Sequence, residues 1–274
     1  VKEVAFFKMS GAGNDFVVFD NRSGAVQGEL SALVARLADR KRGVGGDGVL
    51  FVEPSGRKHF RMRYFNADGS EADMCGNGGR CIARFAAEIG AAPAEMAFEN
   101  LAGDFSAKVR ADGRVELAMT AAHSLRMDLD LPVDGNTVRA HFVDTGVPHL
   151  VVPVPSAAKA DLEGLGPKLR RHPLLGPKGA NVNFAEANGP ASAKVRTFER
   201  GVEGETLACG TGSVASAIVL ARLGLVRPPV AVTTTGGDVL DIAFVPEDEG
   251  AREVVLTGPA EITFRGTLDL DRYL

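Results

Sequence analysis

The chain has no tryptophan and only two tyrosines, so it lacks the aromatic platforms on which single-stranded nucleic acid stacks. Its formal net charge of −4 argues the same way, because a surface that neutralises phosphates is basic. Long apolar runs are also missing. The longest, Val214 to Ala221, is interrupted by Ser216 and falls far short of the ~20 residues that cross a bilayer, so no membrane association is expected. Phe6 and Phe7 are not followed by a sustained apolar segment, so no secretory signal is expected either. Cysteine is scarce. Three residues, an odd number in a chain of 274, do not make a disulfide framework, and the reducing cytoplasm is the expected compartment.

What remains is the composition of a globular protein, 45% hydrophobic and 24% charged, in a length that suits two domains with separate cores. Strands are expected at Val4–Met9, Phe16–Asp20, Val49–Glu53 and Phe60–Asn66, and a hairpin turning at Asp112-Gly113 joins Phe105–Val109 to Val115–Met119. Further strands are expected at Thr137–Val143, His149–Val154, Val182–Ala185, Lys194–Phe198, Val230–Thr235, Val239–Val245, Glu253–Leu256 and Glu261–Arg265. Leu30, Leu33, Val34, Leu37 and Ala38 recur at helical spacing, with Glu29 or Ser31 to start that helix and Gly43 to end it. A second helix follows Cys75 with Ile82, Phe85, Ala86 and Ile89 on one face and Gly90 closing it. A third follows Cys209 and is apolar almost all round, so other structure must wrap it. Many strands with one or two helices per half predict an α+β fold in which mostly antiparallel, barrel-like sheet curls round a central helix.

An internal repeat organises the chain. Cys75-Gly76-Asn77-Gly78 and Cys209-Gly210-Thr211-Gly212 stand 134 residues apart, and the same offset relates Glu71 to Glu205, Ala83 to Ala217, Gly90 to Gly224 and Gly103-Asp104 to Gly237-Asp238. Arg63-x-Phe65-Asn66 meets Arg196-x-Phe198-Glu199 at 133. Two pseudo-symmetric domains from a duplication are therefore expected, 1–120 joined by the tail 265–274, and 121–264, with a site in the cleft between them.

Cys75 and Cys209 each precede a helix, where unpaired N–H groups and the helix dipole favour an anion and lower a thiol pKa. Two thiols facing one substrate suit inversion at carbon, one thiolate removing a proton and the other thiol supplying one to the opposite face. Gly76, Asn77, Gly210 and Thr211 can offer backbone N–H groups to an α-carboxylate. Gly43-x-Gly45-x-x-Gly48 fits the dinucleotide pattern in letters but follows a helix and opens a strand, the reverse of what that motif needs. Cys75 with Cys81 is not a zinc spacing, and no metal is expected. Cys81 reads as a buried hydrophobe, and His59, His123, His141 and His172 as surface or structural residues. His149, in the turn Gly146-Val147-Pro148-His149, is the one histidine in a site-like position.

Lys8-Met9-Ser10-Gly11-Ala12-Gly13-Asn14-Asp15-Phe16, the stretch from Phe65-Asn66-Ala67-Asp68-Gly69-Ser70-Glu71 to Cys75-Gly76-Asn77-Gly78, and that from Glu199-Arg200-Gly201 to Cys209-Gly210-Thr211-Gly212 together resemble the diaminopimelate epimerase family. The resemblance implies PLP-free, cofactor-independent interconversion of LL- and meso-diaminopimelate, for lysine and peptidoglycan precursors, by a homodimer. It implies Cys75 as proton donor and Cys209 as acceptor, exchanging with direction, His149 and Glu199 as tuners of the thiols, and Asn14, Asn66, Asn181, Glu199 and Arg200 as substrate-holding residues. Gly48 and Val147 depart from one common version of the pattern, where Gln and Asn stand, and lie outside the expected site. Two alternatives stay open. One is a racemase for proline or another amino acid using the same thiols; the other is a thiol redox switch or small-anion-binding protein in which they form a disulfide.

Overall fold

The computed structural model describes residues 3–273. Its chain forms two compact units, one made of the residues up to Leu117 together with those from Gly258 onward, the other of Ala118–Thr257. In the first unit β1 (Glu3–Gly11) and β2 (Asn14–Asp20) form an antiparallel hairpin, and β2 then pairs in parallel with β3 (Gly48–Glu53). A parallel pair needs a crossover, and α1 (Leu30–Ala38) supplies it, with Leu30, Leu33, Val34, Leu37 and Ala38 buried. β3 pairs antiparallel with β4 (Phe60–Asn66), and β4 with the two-residue β5 (Glu71–Ala72). After the second crossover, α2 (Gly76–Glu88), β6 (Glu95–Asn100) runs parallel to β4, and β7 (Gly103–Val109) and β8 (Val115–Ala118) complete a meander.

The second unit repeats the plan. β9 (His123–Val133) pairs with β10 (Asn136–Asp144), β10 with β11 (Pro148–Pro153), and β11 runs parallel to β12 (Asn181–Gly189) after the crossover α3 (Leu162–Arg170). β13 (Ser192–Glu199) and β14 (Gly204–Thr206) lead into α4 (Gly210–Arg222), beyond which β15 (Val230–Thr233) lies parallel to β13. β16 (Val239–Glu247) and β17 (Gly250–Gly258) follow. The last strand, β18 (Glu261–Asp269), returns to the first unit and pairs with β1, as β9 does with β10. α2 packs against β1, β2, β3, β7 and β18, and α4 against β10 to β13, β15 and β16. Each unit is thus a barrel-like, mostly antiparallel sheet curled round one helix without closing, and the fold is α+β in two repeats.

α4 is buried from Gly210 to Leu220 except at Thr211, as its lack of a polar face requires. α2 is wrapped more fully than its one apolar face suggests, since Asn77 and Arg80 are buried too. α1 ends at Ala38 rather than at Gly43: Asp39 turns extended, and Gly43 donates its N–H to the Asp39 carbonyl at 2.8 Å. Ser31 does not cap α1; its hydroxyl donates to the Gly69 carbonyl at 2.5 Å. Periodicity missed α3, which holds two glycines and Pro167 and depends on Asp161, whose carboxylate accepts from the Gly164 N–H at 2.9 Å. It missed β9 as well, because nine of its residues face outward or sit half-buried around Leu131 and Val133. The short strands β5, β6 and β14 were likewise not expected. No helix among the described residues is long and apolar enough to cross a membrane.

The register shows where the two repeats differ in length. Met9 lies opposite Phe16, and Val143 opposite His149, so the turn after β10 is one residue shorter than the turn after β1. The turn after β13 is one residue longer than its counterpart after β4, since Phe65 pairs with Glu71 and Phe198 with Glu205. Both changes fall in turns, where they leave the strand ladders in register.

Candidate active site

Cys75 occupies the N-cap of α2 in extended conformation (φ −126°, ψ 124°), and its side chain does not cap the helix. The Cys75 carbonyl accepts the Gly79 N–H at 2.7 Å. The thiol is half-buried. One turn along, Arg80 is fully buried, and its guanidinium donates to the carbonyls of Pro259 (3.2 Å), Gly76 (3.2 Å) and Gly11 (3.4 Å) and to Asn77 Oδ1 (2.9 Å). A guanidinium only donates, so it fixes the Asn77 amide. Asn77 Nδ2 therefore donates to Asn14 Oδ1 at 2.6 Å, and Asn14 Nδ2 to Asp47 Oδ2 at 2.9 Å. Two site amides are oriented between a buried cation and a carboxylate.

Asp47 and its neighbour Asp15 both accept from Arg40, and Lys8 holds Asp15 at 2.7 Å and also donates to the Gly45 carbonyl. Burial alone would raise the Asp15 carboxyl; hydrogen bonds from Arg40 and Lys8 outweigh it and hold it down at about 2. Asn66 ends β4, its Oδ1 accepting from the Tyr64 hydroxyl at 2.8 Å and its Nδ2 donating to Ser70 Oγ at 3.1 Å. Gly48 lies opposite Asn66 in the ladder, where a side chain would strike the Phe65 carbonyl and the Tyr64 ring.

In the second unit Cys209 occupies the N-cap of α4 with nearly the same backbone (φ −124°, ψ 108°). It is buried, with Sγ 3.5 Å from Thr211 Oγ1. His149 is fully buried and pairs in register with Asn181 on β12. Burial, and then the charge of Arg200, pulls its pKa down to about 3, so the ring is neutral. Asn183 Nδ2 points at both the Leu150 carbonyl and His149 Nδ1, 3.1 Å from each. A carbonyl accepts only, so that atom is the amide nitrogen and Nδ1 is the acceptor. The ring proton is thereby assigned to Nε2, which is buried with no hydrogen-bond partner among the described residues. Asn181 Oδ1 accepts the Arg200 N–H at 2.8 Å, fixing the start of the turn. Glu199 accepts from Thr206 Oγ1 at 2.9 Å, and its burial raises the carboxyl above its ordinary range.

Within the first unit the structure therefore links Asn14 to Asn77, two residues after Cys75, and sets Asn66 opposite Gly48 at the end of β4. Within the second it gathers His149, Asn181, Glu199 and Arg200 at one end of β11, β12 and β13. Sequence reasoning missed Arg80, Asp47, Asn183 and Thr197, the last of which donates to Asn183 Oδ1 at 2.9 Å. A signal existed for two of them: Asn183 is a polar residue flanked by Val182 and Phe184 in a strand, and Arg80 interrupts a helix start built of small residues. Among the described residues no three His, Cys, Asp or Glu side chains cluster as metal ligands would.

Two repeats, each a curled sheet round a helix that starts at a cysteine, define a fold seen in distant proteins of solved structure. A phenazine biosynthesis protein of the PhzF family from Bacillus anthracis superposes with a TM-score of 0.74 at 18% identity, over 98% of this chain and 100% of that one. A probable proline racemase from Agrobacterium radiobacter K84 superposes with a TM-score of 0.71 at 16% identity, over 98% and 93%. At sequence level a diaminopimelate epimerase from Hydrogenobaculum sp. is 40% identical, over 96% of this chain and 98% of its own. The diaminopimelate epimerase family model matches residues 6–125 and 141–263. The chain belongs to the diaminopimelate epimerase family.

Proposed function

We propose that the chain interconverts LL- and meso-diaminopimelate without PLP, as lysine and peptidoglycan precursor synthesis requires. Cys75 and Cys209 act from opposite faces of the α-carbon, with the substrate held in a cleft between the domain 1–120, joined by the tail 265–274, and the domain 121–264. One thiolate takes the α-proton and leaves its electron pair on a carbanion-like centre conjugated with the carboxylate; the other thiol then delivers a proton from the far side. The N–H groups at the starts of α2 and α4, from Gly76, Asn77, Gly210 and Thr211, stabilise the charge that grows on the carboxylate. Neutral His149, with its proton on Nε2, donates without competing for the substrate proton. Glu199, whose carboxyl keeps its proton to higher pH than an exposed one, tunes the second thiol. Arg200 suits the distal carboxylate bidentately, and Asn14, Asn66, Asn181 and Glu199 suit the ammonium groups and their surroundings. The observation that carries this reading is the cysteine repeated at the start of each unit's central helix.

Incubation of reduced protein with LL-diaminopimelate in heavy water, without PLP, should wash deuterium into the α position and produce the meso isomer. Folded, reduced protein that exchanges nothing would refute the proposal. A racemase acting on another amino acid is the second reading, favoured only by the shared fold of the proline racemase relative, and proline and other amino acids in the same assay separate the two. The homodimer and the cytoplasmic location belong to the proposal; sedimentation gives the first and fractionation of the native source the second.

A further inference from the structure

The two units share a second duplicated feature that no catalytic role absorbs. On β4, Arg63 grips Glu71 of β5 with both arms, Nε to Oε1 at 2.7 Å and an Nη to Oε2 at 2.9 Å. On β13, Arg196 grips Glu205 of β14 in the same way, at 2.8 and 2.6 Å. Registers match: Phe65 lies opposite Glu71 and Phe198 opposite Glu205, so each arginine reaches diagonally across its pair. Each glutamate stands four residues before its cysteine. β5 and β14 hold only two and three residues, so the backbone ladder pins these segments weakly. A two-armed pair of planar groups fixes orientation as well as distance.

We propose that Arg63–Glu71 and Arg196–Glu205 are positioning clamps, each setting the loop of its own cysteine. Cys75 and Cys209 thus have one clamp each. The clamps are anchored differently. Arg63 also faces Glu53 at 3.7 Å and lies over the Phe65 ring at 4.9 Å. Arg196 also donates to the carbonyls of Ala160 (3.1 Å) and Ala157 (3.4 Å), and Thr235 Oγ1 donates to Glu205 Oε1 at 2.9 Å. The second clamp has more independent supports, so loosening its glutamate disturbs its loop less.

The inference rests on the two-thiol reading for its link to turnover, but its test reads loop geometry directly. The alkylation rate of each cysteine by iodoacetamide, followed by peptide mass spectrometry on the full chain, reports the two loops separately; Cys81, buried with its thiol pushed up to about 12, stays silent. Glu71→Gln should change the Cys75 rate by about threefold or more while leaving Cys209 near its original rate, and Glu205→Gln should do the converse by a smaller factor. In the epimerisation assay both variants should lower kcat with KM little changed. Arg63→Lys, which keeps the charge but loses the fork, should shift Cys75 as Glu71→Gln does, and it stands in for that variant should the latter not fold. Equal changes at both cysteines, or none at either, would overturn the proposal. If the rates move as expected and no substrate exchanges, the clamps stand and the epimerase reading falls.

Discussion

The two units share a backbone plan and spend their buried polarity differently. In the first, polarity gathers at the helix: Arg80 and Asn77 are buried in α2, and the strand positions beneath are Phe16 and Leu50, both fully apolar. In the second, the helix is stripped, with Val214 where the repeat places Arg80, and the strands carry the polarity as His149 and Asn183. One helix therefore carries a buried permanent cation one turn from its cysteine, while the other unit sets a neutral histidine, an amide and a carboxyl raised by burial on its strands, with the charge of Arg200 felt at the histidine. A duplicated scaffold can hold two thiols in like backbone settings and still give them unlike surroundings, which is what the proposed roles of acid and base call for.

The largest expected effect tests whether both halves are needed. Cys75→Ala and Cys209→Ala should each lower epimerisation in the heavy-water assay by at least about 10²- to 10⁴-fold with circular dichroism unchanged; full turnover by either would end the two-thiol mechanism. Next comes the buried cation Arg80, whose place in the second unit Val214 takes. Arg80→Met leaves three carbonyls and the Asn77 amide without that donor and should cost about 3 kcal/mol in urea unfolding; Val214→Met, its counterpart, should cost about 1–2. Equal costs would remove the distinction between the helices.

A glycine pair sharpens the comparison further. A methyl on Gly212 would fall inside van der Waals contact with Asn183 Oδ1 and 3.2 Å from Cys209 Sγ, whereas on Gly78 its nearest neighbours lie at 3.5–3.6 Å. Gly212→Ala should therefore destabilise by about 1–3 kcal/mol and depress turnover, while Gly78→Ala in the same helical position should be neutral or stabilise by up to about 1 kcal/mol. Comparing the two midpoints in urea checks this.

The last contrast concerns pH. His149 falls from 6.5 to about 3 on folding, so the unfolded chain binds the extra proton and stability contributed by this group is complete above pH 6.5 and lost as pH falls towards 3. Glu199 acts with opposite sign: its pKa rises from 4.5, so its contribution is full below that value and lost as pH climbs through the raised one. His149→Phe, which copies the residue of the first unit, should flatten the loss of stability between pH 6.5 and 4 seen in urea melts. An unchanged slope would mean that the ring is not buried in its neutral form.

Much of this was legible in the residues. Strand positions followed from alternation, the all-apolar helix from the lack of any polar face, and the two repeats from a repeated cysteine at a nearly constant spacing. The resemblance of three motif blocks supplied the substrate, which spacing alone did not. What stayed hidden had physical reasons. α3 contains residues that disfavour helices and is held by one cap and by packing against β12 and β13. β9 shows little apolar alternation because most of it meets solvent. Arg80 and Asn183 act through partners distant in sequence, such as Pro259 and His149, and a one-dimensional pattern does not report such pairings.

The extra residue in the turn after β13 has a further consequence, in terms of descent. An exact copy of the first turn, Ala67-Asp68-Gly69-Ser70, would bring no cation to the second unit. The longer version, Arg200-Gly201-Val202-Glu203-Gly204, begins with one, and Asn181 ties down its first N–H. A turn that differs both in its length and in its first residue, in a segment that leaves every strand in place, is thus enough to break the equivalence of two duplicated halves.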